Sequence, residues 1–135
     1  MAEIASTAAN VKATTNTGTI LVQYGEAVDQ GEVVYLKTSD NKHWLADNST
    51  TTLAAAVGVA ITPNIADGYG LVAISGDIDM GATLAIGEVY TVASTSGKIH
   101  PDTDLLTTEI LTVVGFGKTA ALLTLAINNT GIAHA

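Results

Sequence analysis

Cysteine is absent from the 135-residue chain, which excludes a disulfide framework, a thiolate metal site and a cysteine nucleophile. Aromatic residues make up only 4% of the sequence, while hydrophobic residues make up 47%. The core must therefore be thin and built from Ala, Val, Leu and Ile, and the scarcity of large rings argues against a deep small-molecule pocket. Positive charge is also scarce: five Lys and Arg face thirteen Asp and Glu, for a formal charge of −8. Such a surface repels phosphate backbones and anionic membranes, so neither nucleic acid nor membrane is an expected partner. Long apolar runs are missing. The longest, Leu53 to Ile61, covers nine residues and contains Gly58, against the roughly 20 that a spanning helix needs. The start, Met1 to Ser6, has neither the basic stretch nor the apolar block of a secretory signal, so a soluble protein made inside the cell is expected. With a charged fraction of 13%, the surface is dominated by Thr, Ser, Asn and Ala, and is easily buried against another protein.

What the chain does contain is an internal echo. Gly31-Glu32-Val33-Val34-Tyr35 returns as Gly87-Glu88-Val89-Tyr90, and Ala56-Val57-Gly58-Val59-Ala60-Ile61-Thr62 returns as Val113-Val114-Gly115-Phe116-Gly117-Lys118-Thr119. Leu71 to Gly76 resembles Thr124 to Asn129. The three offsets are 56, 57 and 53 residues, in one order. Two copies, about 31–81 and 87–131, point to one duplicated β-unit closing on itself, since a solenoid needs at least about three repeats.

Short runs of β-branched and apolar residues alternate with polar turns along both copies. Strands are expected at Thr19 to Tyr24, Val33 to Lys37, His43 to Ala46, Ala54 to Ile61, Gly70 to Ser75 and Ile78 to Met80. The second copy gives Val89 to Ala93, Ile99-His100, Leu111 to Phe116 and Ala121 to Ile127. Gly58 interrupts its strand, where a bulge or a close backbone approach is expected. The best helix candidate, Thr103 to Glu109, is only one or two turns long. The fold class read from this pattern is all-β, a small barrel or sandwich. Residues 1–18 show no periodicity and are expected to form a flexible, extended N-terminal arm before a single β domain at 19–135.

Residues with chemical potential do not assemble into a catalytic pattern. Gly117-Lys118-Thr119 looks briefly like a phosphate-binding loop, but the motif needs a glycine where Thr112 stands. His43, His100 and His134 have no partner at metal-ligand spacing, so no metal and no cofactor is expected. His43 and His100 read as near-equivalents, each beginning the return strand of a hairpin. Asp77 with Asp79, and Asp102 with Asp104, are read as solvated turn acids without the further carboxylates of a calcium loop. No Gly-x-Ser-x-Gly elbow appears. Asn48-Ser49-Thr50 and Asn128-Asn129-Thr130 match the glycosylation pattern but carry little weight without a secretory signal. Trp44, the only tryptophan, reads as a core residue opposite Val34 or Leu36, or as a subunit-interface anchor.

The stretch Gly31 to Gly81 resembles the head-decoration proteins of tailed bacteriophages, including the lambda type. The shared pattern is the strand Val33 to Leu36, the polar turn Ser39 to Lys42, a return strand with Trp44, Leu45 and Ala46, a Thr-rich loop, the strand Ala55 to Ala60, and a closing strand ending at Ser75-Gly76. The second copy, Gly87 to Gly131, is similar to the wider group of phage capsid cement proteins. The resemblance implies a β-tulip-like fold, no enzyme activity and assembly as a homotrimer on the outside of an expanded virion head. There it would bridge subunits of the major capsid protein and stabilise the mature lattice by mass action. It also implies that the N-terminal arm contacts the capsid. On that reading Ile4 and Val11, with the strand Thr19, Ile20, Leu21 and Val22, lie against the shell, and removing residues 1–18 ends binding while sparing the fold. The alternative reading is a carbohydrate- or receptor-binding β-module of a tail fibre or surface adhesin. A small trimeric β-enzyme such as a nucleotide hydrolase lacks the necessary acid–base and phosphate-binding residues.

Overall fold

The computed structural model describes residues 3–4 and 6–135. They fold as two antiparallel sheets packed into a small sandwich. In chain order the strands are β1 (Val11–Ala13), β2 (Gly18–Gln23), β3 (Val33–Lys37), β4 (Lys42–Leu45), β5 (Ala56–Ala60) and β6 (Tyr69–Ser75). They continue with β7 (Asp77–Met80), β8 (Val89–Val92), β9 (Ile99–Pro101), β10 (Ile110–Gly117) and β11 (Leu122–Ala133). The six-stranded sheet runs β1-β7-β11-β10-β8-β9 and the five-stranded sheet β2-β6-β5-β3-β4. The order β2-β6-β5-β3-β4 in one sheet is thus matched position by position by β7-β11-β10-β8-β9 in the other, with β1 added outside β7.

The valine-glycine strands explain the match at atomic level. Gly58 lies opposite Val34, and Gly115 opposite Tyr90, each beside a register shift in its ladder. A Cβ on Gly58 would stand 2.2 Å from the Ala73 carbonyl oxygen, and one on Gly115 would stand 2.1 Å from that of Thr124. Only glycine lets the neighbouring backbone come so close. Gly31-Glu32 and Ala60 exchange strand-end hydrogen bonds (Gly31 N–H to Ala60 C=O, 2.7 Å; Ala60 N–H to Glu32 C=O, 2.8 Å), and Gly87-Glu88 and Gly117 make the same pair at 2.7 and 3.0 Å.

Two cores result. The larger fills the space between the sheets, with Val33, Tyr35, Val59 and Ala73 from one and Ile78, Met80, Tyr90, Val92, Val114 and Leu123 from the other. The smaller lies on the far face of the five-stranded sheet, where Val22, Tyr24, Val28, Val34, Ala60 and Val72 pack together. Adjacent residues on β3 therefore serve different cores, as the two-residue period of a strand requires. The five-stranded sheet curls until its two edges touch: Gly25 N–H donates to His43 C=O at 2.8 Å beside a parallel bridge between Tyr24 and His43.

The N-terminal segment departs from the expectation of a free arm. Val11–Ala13 forms β1 on β7, with Val11 opposite Met80 and only 2% exposed. Ile4 donates its N–H to Ile99 C=O at 2.9 Å and packs against the larger core. Apolar side chains at positions 4 and 11 dock this stretch together with its backbone hydrogen bonds, among them Thr7 N–H to Gly81 C=O at 2.9 Å. The best helix candidate, 103–109, yields only a single 3-10 turn, Asp102–Asp104, since so few residues cannot offset the cost of helix nucleation. The final strand runs on to Ala133, six residues past the expected end at Ile127, as the partner of β10.

Candidate attachment surface

β2 forms one edge of the five-stranded sheet, and its outward-facing side chains are uncovered. Leu21 is 68% exposed and stands directly opposite Leu71 of β6, itself exposed; Gln23 stands opposite Tyr69, 59% exposed. Thr19, on the same face, is exposed opposite buried Ala73. The result is an apolar patch of Leu21, Leu71 and Tyr69 beside a strand edge that, among the described residues, is unpaired over Gly18–Gln23 and meets β4 only just beyond that strand, at Tyr24 and Gly25. Edges are ordinarily blunted by charge or proline. The other edge strands follow that rule, with Lys12 on β1, Lys42 on β4 and Pro101 at the end of β9. Gly18–Gln23 carries neither.

The residues expected at the contact surface therefore separate. Thr19 and Leu21 face outward, whereas Val22 is buried in the smaller core and Ile20 is packed against it. Ile4 and Val11 point into the body of the protein. Tyr69 and Leu71 were not singled out in the sequence. Their signal was the alternation Tyr69-Gly70-Leu71-Val72, which places both on the face opposite the buried Val72.

Trp44 is half-buried on β4 and lies opposite Tyr35, not Val34 or Leu36. Its ring covers Gly25, where an added Cβ would stand 2.2 Å away, and Lys37 Nζ sits 4.5 Å from the ring centroid in a cation–π contact. The indole Nε1–H donates to Asp40 at 3.0 Å. Slight desolvation works the other way, but hydrogen bonds from Lys42 N–H and Trp44 Nε1–H hold the Asp40 carboxyl below its ordinary range.

The chemically suggestive residues have structural partners. Asp77 is not a solvated turn acid: it is 5% exposed, pairs with Lys118 Nζ at 2.7 Å, and accepts Thr124 Oγ1–H at 2.7 Å. The Lys118 hydrogen bond, then that of Thr124, holds its carboxyl below the ordinary carboxylate range. Lys118 thus belongs to an ion pair, and Thr119 Oγ1 caps a turn by accepting the Leu122 N–H at 3.0 Å. Partial desolvation, a hydrogen bond shared with Asp102 and the charges of Asp102 and Asp104 push the Glu88 carboxyl up. Among the described residues, no group of three or more His, Asp or Glu side chains is placed to hold a metal ion.

One further expectation changes, and the little weight given to the glycosylation pattern at Asn48 gains a structural reason. In matched register His100 faces Thr91 as Trp44 faces Tyr35, so His43, opposite Leu36, and His100 occupy different positions in their hairpins. Asn48 is 1% exposed and donates Nδ2–H to Val92 C=O at 3.1 Å, so the Asn48-Ser49-Thr50 pattern marks a link between sheets and not a reachable glycan acceptor. No protein-family model and no curated protein matches the chain.

Proposed function

We propose that this chain is a capsid decoration protein of the tailed-phage type, a cement module that acts by binding and performs no catalysis. It attaches as a homo-oligomer, a trimer by the resemblance, to the exterior of an expanded icosahedral head and bridges major capsid protein subunits. The observation that carries this reading is the open edge of β2 with exposed Leu21, Leu71 and Tyr69 beside it, an uncharged strand and apolar patch suited to burial against another protein. The resemblance of Gly31 to Gly81 to head-decoration proteins supplies the kind of partner, and the matched strand orders support descent of the two halves from one unit.

On this reading the contact surface shifts from the apolar residues of the N-terminal segment to Thr19, Leu21, Tyr69 and Leu71. Attachment stabilises the shell because the protein binds only the expanded lattice, by RT ln(1 + [L]/Kd) at each site. Co-sedimentation with expanded and unexpanded empty heads tests it. Expected is co-migration with the expanded form alone, lost in a Leu21→Lys, Leu71→Lys double variant that keeps the wild-type melting temperature. Equal binding of the double variant, or equal recovery with both head forms, overturns the proposal.

A further inference from the structure

We propose that His43 is an acid-sensitive latch, whose protonation releases the clasp between β2 and β4 and opens the smaller core while the core between the sheets stays packed. The clasp is small. The edges of the five-stranded sheet are joined through the Gly25 N–H to His43 C=O hydrogen bond and the Tyr24–His43 bridge. The residue that supplies the accepting carbonyl also carries a buried imidazole. On β4, His43 and Leu45 share a face by the two-residue strand period, and Leu45 packs against the smaller core.

The imidazole is 9% exposed, and its Nδ1 is fully buried without a hydrogen-bond partner. With no acceptor within reach of Nδ1, the neutral form protonated at Nε2 is the one that avoids burying an unpaired N–H there. Adding a proton at Nδ1 creates a buried cation whose new N–H faces no acceptor, the costliest way to place a charge in an apolar site.

The charged and titratable groups on the surrounding elements are already committed. Tyr24, beside it in the bridge, is fully buried and donates its hydroxyl to Thr62 C=O at 2.8 Å. Glu26, in the loop after β2, accepts the Leu45 N–H at 3.0 Å. Lys37 of β3 lies over Trp44 on the other face, and Asp40 in the turn holds Lys42 N–H and the indole. Lys42 of β4 pairs with Asp67, which precedes β6 and carries the exposed Tyr69 nearby. Among the described residues, none of these groups is hydrogen-bonded to the buried Nδ1. Burial accordingly holds the His43 pKa below its ordinary value. The sign follows: the neutral form is favoured on folding, so the latch is at full strength above the unfolded imidazole pKa of about 6.5 and weakens as pH falls below it.

Trp44 provides a direct reporter because its ring covers Gly25, the donor in the clasp. The test uses the full isotope-labelled chain between pH 8 and 4.5, following the His43 imidazole, amide exchange corrected for intrinsic rates, and Trp44 emission. Expected is a several-fold loss of protection at the Gly25 amide as His43 titrates, a Trp44 emission change in the same window, and unchanged protection along β10. His43→Gln abolishes the pH dependence, whereas a His100→Gln control, which alters the other buried imidazole, leaves it in place. Flat Gly25 protection, simultaneous loss along β10, or an unaltered transition in His43→Gln overturns the latch. Should His43→Gln fail to fold, the wild-type contrast between Gly25 and β10 still decides the matter.

Discussion

Glycine at positions 58 and 115 is a steric necessity, and this gives the sharpest expectation for single substitutions. An added methyl at either site must push against a carbonyl oxygen of the neighbouring strand, which is backbone and cannot rotate away. Gly58→Ala and Gly115→Ala should each cost about 1–3 kcal/mol, the range for forced overpacking, read as a lower urea midpoint with an unchanged slope. Asp77 gives a second expectation at this scale. Its lowered carboxyl pKa stabilises the fold above the unfolded carboxylate value of about 3.9 and ceases to do so as pH falls through the lower folded value. Lys118 is half-exposed, which discounts the ion pair, but Thr124 and Asn16 also lose a partner when the charge is removed. Asp77→Asn should lower stability by about 1–3 kcal/mol at pH 7, and the difference from wild type should shrink at pH 3, measured by urea unfolding at both values.

At the scale of elements, the described residues from Thr7 to Gly18 behave as part of the domain. β1 covers Met80, and the loop that follows it is tied to β7 by Thr14 Oγ1–H and Thr17 Oγ1–H, both donated to Asp77 C=O at 2.9 and 2.5 Å. Removing residues 1–13 uncovers the β7 edge and the side of the larger core against which Ile4 packs, so it should lower stability by about 2–4 kcal/mol, seen as a reduced melting temperature. The free-arm reading expects instead that removing residues 1–18 spares the fold, and the same melting measurement separates the two. The central strands were legible because their pattern is local: Val33 to Lys37 coincides with β3, and Gly58 with a bulge. β1 was not legible, because Val11-Lys12-Ala13 holds one large apolar residue and owes its strand to pairing with β7, where Met80 lies sixty-nine positions from Val11. The burial of Asp77 was hidden for the same reason, since its partners Asn16, Lys118 and Thr124 are remote in sequence. Half of the candidate surface could be read in Thr19 and Leu21. The other half lies across the β2–β6 ladder, and register cannot be read from one strand alone.

For the whole molecule, the decisive feature is that both sheets supply the same larger core, so neither can separate without exposing the other. Asn48 adds a polar tie between them: its N–H bonds Ala93 C=O at 3.1 Å, its C=O accepts the Ile110 N–H at 2.9 Å, and its side chain reaches Val92, all from the loop between β4 and β5. Thr112 of β10 reinforces the connection by donating its hydroxyl to Ala54 C=O at 2.6 Å. Unfolding at neutral pH should therefore be a single cooperative transition despite the matched strand orders of the two sheets. Trp44 emission reports on the five-stranded sheet and amide signals of β8 and β10 on the six-stranded one. Their urea midpoints should coincide in the wild type, and in Asn48→Ala they should move down together by the equivalent of about 1–3 kcal/mol. Two separated midpoints in the wild type would show that each sheet folds as an independent unit, and the shared core would then not be what binds the molecule into one domain.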